Sequence, residues 1–218
     1  MKSYQAYLFD WDGTIARTLE VWLEVMREAF SRYSLSELSD DELVQAFGRW
    51  QPSARDYGVP AEDIVGFDQL VNDLSHAKVP YAPVYPAALE TLEALKEQGK
   101  ELALVTTDWQ RNVNEKLAHN NLQGTFGTII SGDDVRSHKP DPQGILAALD
   151  QIGIEKDQAV MIGDSPHDLD AANNAGIDSV LFYPPSHQLF YELGDLQESQ
   201  PTYIISDLHE LLTPGDQA

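Results

Sequence analysis

The spacing of apolar residues along this chain changes character twice. Tyr4-Gln5-Ala6-Tyr7-Leu8-Phe9 is a short aromatic and apolar run, the pattern of a buried strand, and it stops at Asp10, Asp12 and Gly13. From about Thr18 to Tyr33, Leu19, Val21, Trp22, Val25, Met26, Ala29 and Phe30 recur at helical spacing with Glu20, Glu24, Arg27 and Glu28 between them, which predicts an amphipathic helix. Ser39-Asp40-Asp41-Glu42 reads as the capped start of a second helix running to about Phe47, with Gly48 as its stop. More helix is expected between Pro60 and Lys78, and the breaker-rich Val79-Pro80-Tyr81-Ala82-Pro83 returns the chain from the all-helical stretch.

Beyond that point strands and helices alternate. A helix from about Tyr85, closed by Gly99, precedes the strand Glu101–Thr106; a helix from Trp109 to His119 precedes the strand Thr128–Ser131; Pro142 opens a helix ending near Gly153, before the strand Ala159–Gly163. Ser165 to Ala175 is again helical, stopped by Gly176 and followed by the strand Ser179–Tyr183. A short strand, Thr202–Ile205, and a capped helix, Ser206–Leu212, are expected last. Strands alternating with helices predict a parallel sheet with right-handed crossovers, hence an α/β fold: a Rossmann-like three-layer core with an inserted all-helical domain. The expected boundaries are 1–16 and 83–218 for the core and 17–82 for the insert.

Composition narrows the chemistry. The 218 residues, 42% of them apolar, are enough for such a core without staples. The chain has no cysteine, which excludes disulfides, thiolate metal sites and cysteine nucleophiles. No stretch approaches the roughly 18 continuous apolar residues of a membrane span, so a cytoplasmic location and no membrane partner are expected. With 14 basic and 36 acidic residues the net charge is -22, which repels nucleic acid and anionic lipid. An enzyme for anions must then supply a local positive site, and a bound cation meets that need.

In an open parallel sheet, ligands bind beyond the carboxyl ends of the strands, so polar residues that follow each apolar run should meet on one rim. Here these are Asp10 and Asp12; Thr106, Thr107 and Asp108; Asp133 and Asp134, with Lys139 shortly after; and Asp164 and Asp168. Several carboxylates with one lysine suit Mg²⁺, a hard ion that bridges protein carboxylates to a substrate phosphate. A phosphoryl group needs cation and ammonium on its flanks, hydrogen-bond donors at its rim and an aligned nucleophile. Carboxylates form covalent phospho-intermediates, so Asp10 can attack while Asp12, one residue removed and differently directed, handles protons. The histidines lack metal-ligand spacing, and His138 and His167 read as loop residues.

Phe9-Asp10-Trp11-Asp12-Gly13-Thr14 resembles the opening DxDGT motif of the haloacid dehalogenase-like hydrolases, and the later motifs follow in family order: Thr106 after its strand, Lys139 in His138-Lys139-Pro140-Asp141-Pro142, and Gly163-Asp164-Ser165-Pro166-His167-Asp168 as GDxxxD. The resemblance implies that Asp10 is nucleophile and magnesium ligand. It makes Asp12 the general acid and then base, with its backbone carbonyl on the metal. Thr106 would bind a phosphate oxygen, Lys139 would hold both Asp10 and phosphate, Asp164 would ligate the metal, and Asp168 would reach it indirectly, from behind its ligands or through water. The insert resembles the family's helical cap, which closes over the site and selects substrate. Within it Arg49, beside Trp50, is a candidate grip for an anion, and Arg17 at the hinge is another.

The subgroup resembled is that of the phosphoglycolate phosphatases. It implies Mg²⁺-dependent hydrolysis of a small phosphomonoester, phosphoglycolate-like or a sugar phosphate, by a monomer or homodimer. A sugar phosphomutase of the β-phosphoglucomutase kind is the alternative. Phosphonoacetaldehyde hydrolases share a tryptophan at position 11, but carry a small residue where Asp12 stands. Dehalogenases lack that second aspartate too. Arg17 and Thr18 stand where the family phosphatases have Asp-Ser, and Thr107 where asparagine is common; these departures bear on substrate rather than on the core chemistry. A signalling receiver module also gathers acids, a threonine and a lysine around Mg²⁺, but its phosphorylated aspartate follows a later strand than its acidic pair.

Overall fold

In the computed structural model, which describes residues 1–47 and 50–212, the chain divides into two compact units: Met1–Arg17 with the chain from Pro83 onward, and Thr18–Ala82. The first contains β1 (Ala6–Phe9), α5 (Ala88–Glu97), β2 (Glu101–Val105), α6 (Gln110–His119), β3 (Thr128–Ile130), α7 (Gln143–Ile152), β4 (Ala159–Gly163), α8 (Pro166–Ala175), β5 (Asp178–Phe182), α9 (Leu193–Gln197) and β6 (Tyr203–Ile205). The second contains α1 (Thr18–Ser31), α2 (Asp40–Gln45), α3 (Trp50–Asp56) and α4 (Ile64–Lys78).

The six strands form one sheet in the order β3-β2-β1-β4-β5-β6, every pair parallel. Central β1 is buried along its whole length, as its unbroken apolar run requires of a strand covered on both faces. Ala6, Leu8, Ala103, Val105, Met161 and Ile130 pack on one face against Ile145, Ala148 and Leu149 of α7 and Ala171, Ala172 and Ala175 of α8. The alternate residues Tyr7 and Phe9 face the other way, where the Phe9 ring meets Phe126 at 6.3 Å. The small alanines of α8 let it lie close to the sheet, and Gly153 and Gly176, both at positive φ, end α7 and α8.

In the helical unit Phe30 meets Phe67 at 4.8 Å and Tyr57 at 5.6 Å, with Met26 and Val71 also fully buried. Ser39 and Glu42 make a reciprocal capping box at the start of α2. Several elements depart from the expected pattern. Helix α3 falls in a stretch with no clear periodicity, and its Ala54 is fully buried. The segment 206–212 forms a single 3₁₀ piece, Leu208–Leu212, rather than an α-helix. Helix α5 begins at Ala88 rather than Tyr85. The expected stop at Gly48 and the candidate Arg49 lie outside the described residues.

Candidate active site

The strand order reverses direction between β1 and β4, and the residues that follow these two strands converge there. Asp10 prolongs the ladder, its N–H donating to the Ile162 carbonyl at 2.9 Å. The next residues form a locked loop: the Trp11 carbonyl accepts from the N–H groups of Thr14, Ile15 and Ala16, and the Gly13 N–H donates to the Ala16 carbonyl. Gly13 has φ 78°, and a Cβ there would come within 2.3 Å of an Asp164 carboxylate oxygen. A glycine is thus required twice over, by the backbone and by the close approach of β4's acid. Thr14 donates its hydroxyl to Asp164 at 3.3 Å.

Lys139 gathers the acids. Its ammonium donates to Asp10 Oδ1 and Asp168 Oδ1, each at 2.6 Å, and to the Val105 carbonyl at 3.0 Å. Asp168 is the N3 residue of α8, and its Oδ2 accepts from the Ser165 hydroxyl at 2.6 Å and the Ser165 N–H at 3.2 Å. Both of its oxygens are therefore engaged, which makes it the anchor of Lys139 as well as a neighbour of the other acids. Asp10, Asp164 and Asp168 each bring a carboxylate oxygen to within 4.8 Å of the others, and all three are buried.

Burial, reinforced by Asp168 and Asp12 and opposed by Lys139, lifts the Asp10 carboxyl to about 7. Asp164 is raised as well, first by burial and then by Asp168 and Asp10. Lys139 is held above its ordinary value because the two carboxylates outweigh the burial that opposes its charge. Clustered buried carboxylates with one ammonium leave uncompensated negative charge, and hard oxygen donors are what a divalent cation such as Mg²⁺ takes. The residues fit the metal.

Thr106 directly follows β2 and is 5% exposed, its hydroxyl accepting from the Asp108 N–H at 3.2 Å; Thr107 is exposed beside it. The acids after β3 have structural tasks. Asp133 accepts from the Gln110 N–H at the start of α6, and Asp134 makes a capping box with Ser131. His138 and His167 are exposed loop and helix-start residues.

Three contributors have no role assigned by the sequence alone. Lys116 on α6, 4% exposed, donates to both Asp12 oxygens at 2.9 and 3.0 Å and lies 2.8 Å from Asp108 Oδ2. Burial opposes its charge, but Asp12 and Asp108 prevail and hold it above its ordinary value. Its signal was available, since a lysine three residues after Val113 and next to Leu117 lies on the apolar stripe of its helix. Tyr191 faces the acid cluster; burial and then the Asp164 carboxylate raise its phenol. Thr14, the last residue of the first motif, is the third.

A haloacid dehalogenase-like hydrolase family profile matches residues 7–182. The pyrophosphatase PpaX of Bacillus velezensis is 30% identical over 80% of this chain and 81% of its own. A phosphoglycolate phosphatase of Rhodospirillum rubrum is 30% identical over 88% of this chain and 85% of its own. Among solved structures, a Bacteroides fragilis protein described as a haloacid dehalogenase-like hydrolase superposes with TM-score 0.73 at 26% identity, covering 96% of this chain and 100% of that one. A Streptococcus pneumoniae protein of the same description shares the fold at TM-score 0.73 and 23% identity, covering 97% and 98%. With four-fifths of its length matched by relatives at this level, the chain belongs to the haloacid dehalogenase-like hydrolase family.

Proposed function

We propose that this enzyme hydrolyses a small phosphomonoester, such as phosphoglycolate or a sugar phosphate, in a Mg²⁺-dependent reaction through an aspartyl-phosphate on Asp10. The observation that carries the reading is the buried group in which Lys139 bridges Asp10 and Asp168 at 2.6 Å beside Asp164, at the reversal of strand order. Asp10 attacks phosphorus as the bond to the leaving alcohol oxygen breaks, and Asp12 passes a proton to that oxygen. In the second half Asp12 takes a proton from water as the water oxygen attacks phosphorus, releasing inorganic phosphate and the Asp10 carboxylate. Thr106 donates its hydroxyl to a phosphate oxygen, and the Lys139 ammonium, fixed by Asp168, offsets the charge gathering between nucleophile and phosphate. Asp10, Asp164 and the Asp12 carbonyl, with Asp168 adjoining, would hold magnesium, which would supply positive charge for the phosphate oxygens. The helical insert is assigned the choice of substrate, with Thr107, Arg49 and Arg17 as candidate contacts.

The named relatives support phosphate chemistry, and those called pyrophosphatases favour one second substrate, inorganic pyrophosphate. The test is a panel of phosphoglycolate, sugar phosphates, nucleotides and pyrophosphate, with and without Mg²⁺, for wild type and Asp10→Asn. We expect Mg²⁺-dependent phosphate release from at least one monoester and a fall in turnover on the order of a thousandfold in the variant. Near wild-type rates in a folded Asp10→Asn protein would remove the covalent mechanism. Release from pyrophosphate alone would move the substrate to the second reading, and phosphoryl return to a sugar without phosphate release would make the enzyme a mutase.

A further inference from the structure

We propose that Lys116 is a positioning residue for Asp12, held in place by Asp108, and that it sets how well Asp12 delivers its proton to the leaving group. The inference rests on the proton-transfer role given to Asp12 above. A lysine side chain only 4% exposed is uncommon, because an ammonium withdrawn from water needs several oxygen partners. Lys116 has three: both Asp12 oxygens, at 2.9 and 3.0 Å, and Asp108 Oδ2 at 2.8 Å. Asp12 itself is 41% exposed, so without this grip its carboxyl would be free to turn among rotamers in open solvent.

The anchor behind Lys116 is fixed in turn. Asp108 uses its other oxygen, Oδ1, to accept from the Trp109 N–H at 2.8 Å and from Asn112 at 2.7 Å. The start of α6 thus orients Asp108, which orients Lys116, which orients Asp12. The two buried lysines divide their work: Lys139 attends the Asp10 nucleophile, and Lys116 attends the proton carrier. A protonated Asp12 keeps one oxygen as an acceptor for Lys116 while the other presents its proton to the leaving oxygen. In the plainer alternative Lys116 merely ties α6 to the loop after β2. Its loss would then weaken activity on all substrates alike.

Leaving groups separate the two. An alkoxide needs a proton as it departs, whereas 2,4-dinitrophenolate leaves without one, and kcat/KM reports the steps through departure of the leaving group. Lys116→Met, which keeps the apolar stem, and Asp108→Asn, which leaves Lys116 in place, are compared with wild type and Asp12→Ala. The substrates are an alkyl phosphate that the wild type hydrolyses and 2,4-dinitrophenyl phosphate, both with Mg²⁺.

In Lys116→Met we expect kcat/KM for the alkyl ester to fall about tenfold or more and for the dinitrophenyl ester to fall by less than about threefold, in the direction shown by Asp12→Ala. Asp108→Asn should show the same selectivity to a smaller degree, and it carries the comparison if Lys116→Met does not fold. Equal losses on both esters, or an unchanged alkyl rate, would overturn the role of Lys116 while Asp12→Ala remains selective. Loss of selectivity in Asp12→Ala itself, or a wild type inactive on every ester, would instead sink the reading on which the proposal stands.

Discussion

Lys139 is the residue whose removal asks most of its surroundings. Its side chain is 7% exposed and its ammonium meets two buried carboxylates at 2.6 Å. Lys139→Met would leave Asp10 and Asp168 buried without a counter-charge, a loss of roughly 3–5 kcal/mol of stability. In the proposed mechanism it would also remove a donor to the transferring phosphoryl group, worth about 3 kcal/mol of transition-state stabilisation, or roughly a hundredfold in kcat. The expected outcome is a metal-free variant with a clearly lower Tm that regains stability as pH falls and Asp10 takes up a proton. A Tm independent of both the substitution and pH would show that the ammonium does not balance these acids. Asp10 and Asp164 were legible as acids ending apolar runs and Lys139 by its place in the motif order, signals that survive in one dimension. The pairings of Lys116 and Tyr191 with their acids were not, because each side chain comes from an element distant in sequence.

Among the elements, the loop from Asp10 to Ala16 is the one with least room. Gly13 combines φ 78° with an approach that would put a Cβ 2.3 Å from Asp164. Gly13→Ala is expected to cost about 2 kcal/mol or more in urea unfolding and to weaken Mg²⁺-dependent activity, since the clash falls on a proposed ligand. Full stability with full activity would mean that the loop can relax away from β4. Helix α8 shows how one element serves two ends: Asp168 completes the capping box with Ser165 and meets Lys139 with its other oxygen. Strands and long helices were legible because their periods extend over several residues. Helices α3 and α9, seven and five residues long, were not, since a pattern needs two turns to be seen. Burial of Ala54 in one and Leu196 in the other supplies what periodicity does not.

At the scale of the whole molecule, the acid cluster is expected to link stability to pH and, through the proposed site, to metal. A carboxyl raised in the folded state binds its proton more tightly there than in the unfolded chain. As pH rises from the ordinary carboxylate value near 4 to the folded Asp10 value of about 7, the folded state holds more protons than the unfolded one, and stability falls. Asp164 is raised too and acts in the same direction. The metal-free protein should therefore lose this contribution across that window. Mg²⁺ must displace the protons to bind, so the rise in Tm that it produces should be larger at pH 7.5 than at pH 5.5. Melting curves at both values, with and without Mg²⁺, check this; a shift that is equal at both or larger at pH 5.5 would detach the metal from these carboxylates. The net charge of -22 adds a general repulsion that makes a local cation more necessary for an anionic substrate.

The sequence by itself determined the alternation of strands and helices, the acids at strand ends and the order of the motifs that include Lys139, because each rests on local periodicity or on a motif read in order. Among the described residues no helix is long and apolar enough to cross a membrane, which agrees with the hydropathy of the chain. Tertiary structure decided which of the rim acids act together. It drew Asp10, Asp164 and Asp168 around Lys139, set Asp133 and Asp134 to capping, and brought Lys116 across from α6 to Asp12. Such contacts join residues up to 158 positions apart in the chain, between Asp10 and Asp168, and depend on strand order and helix rotation. Asp10 and its motif were visible from the first strand; the carboxylates and the ammonium gathered around it required the folded sheet.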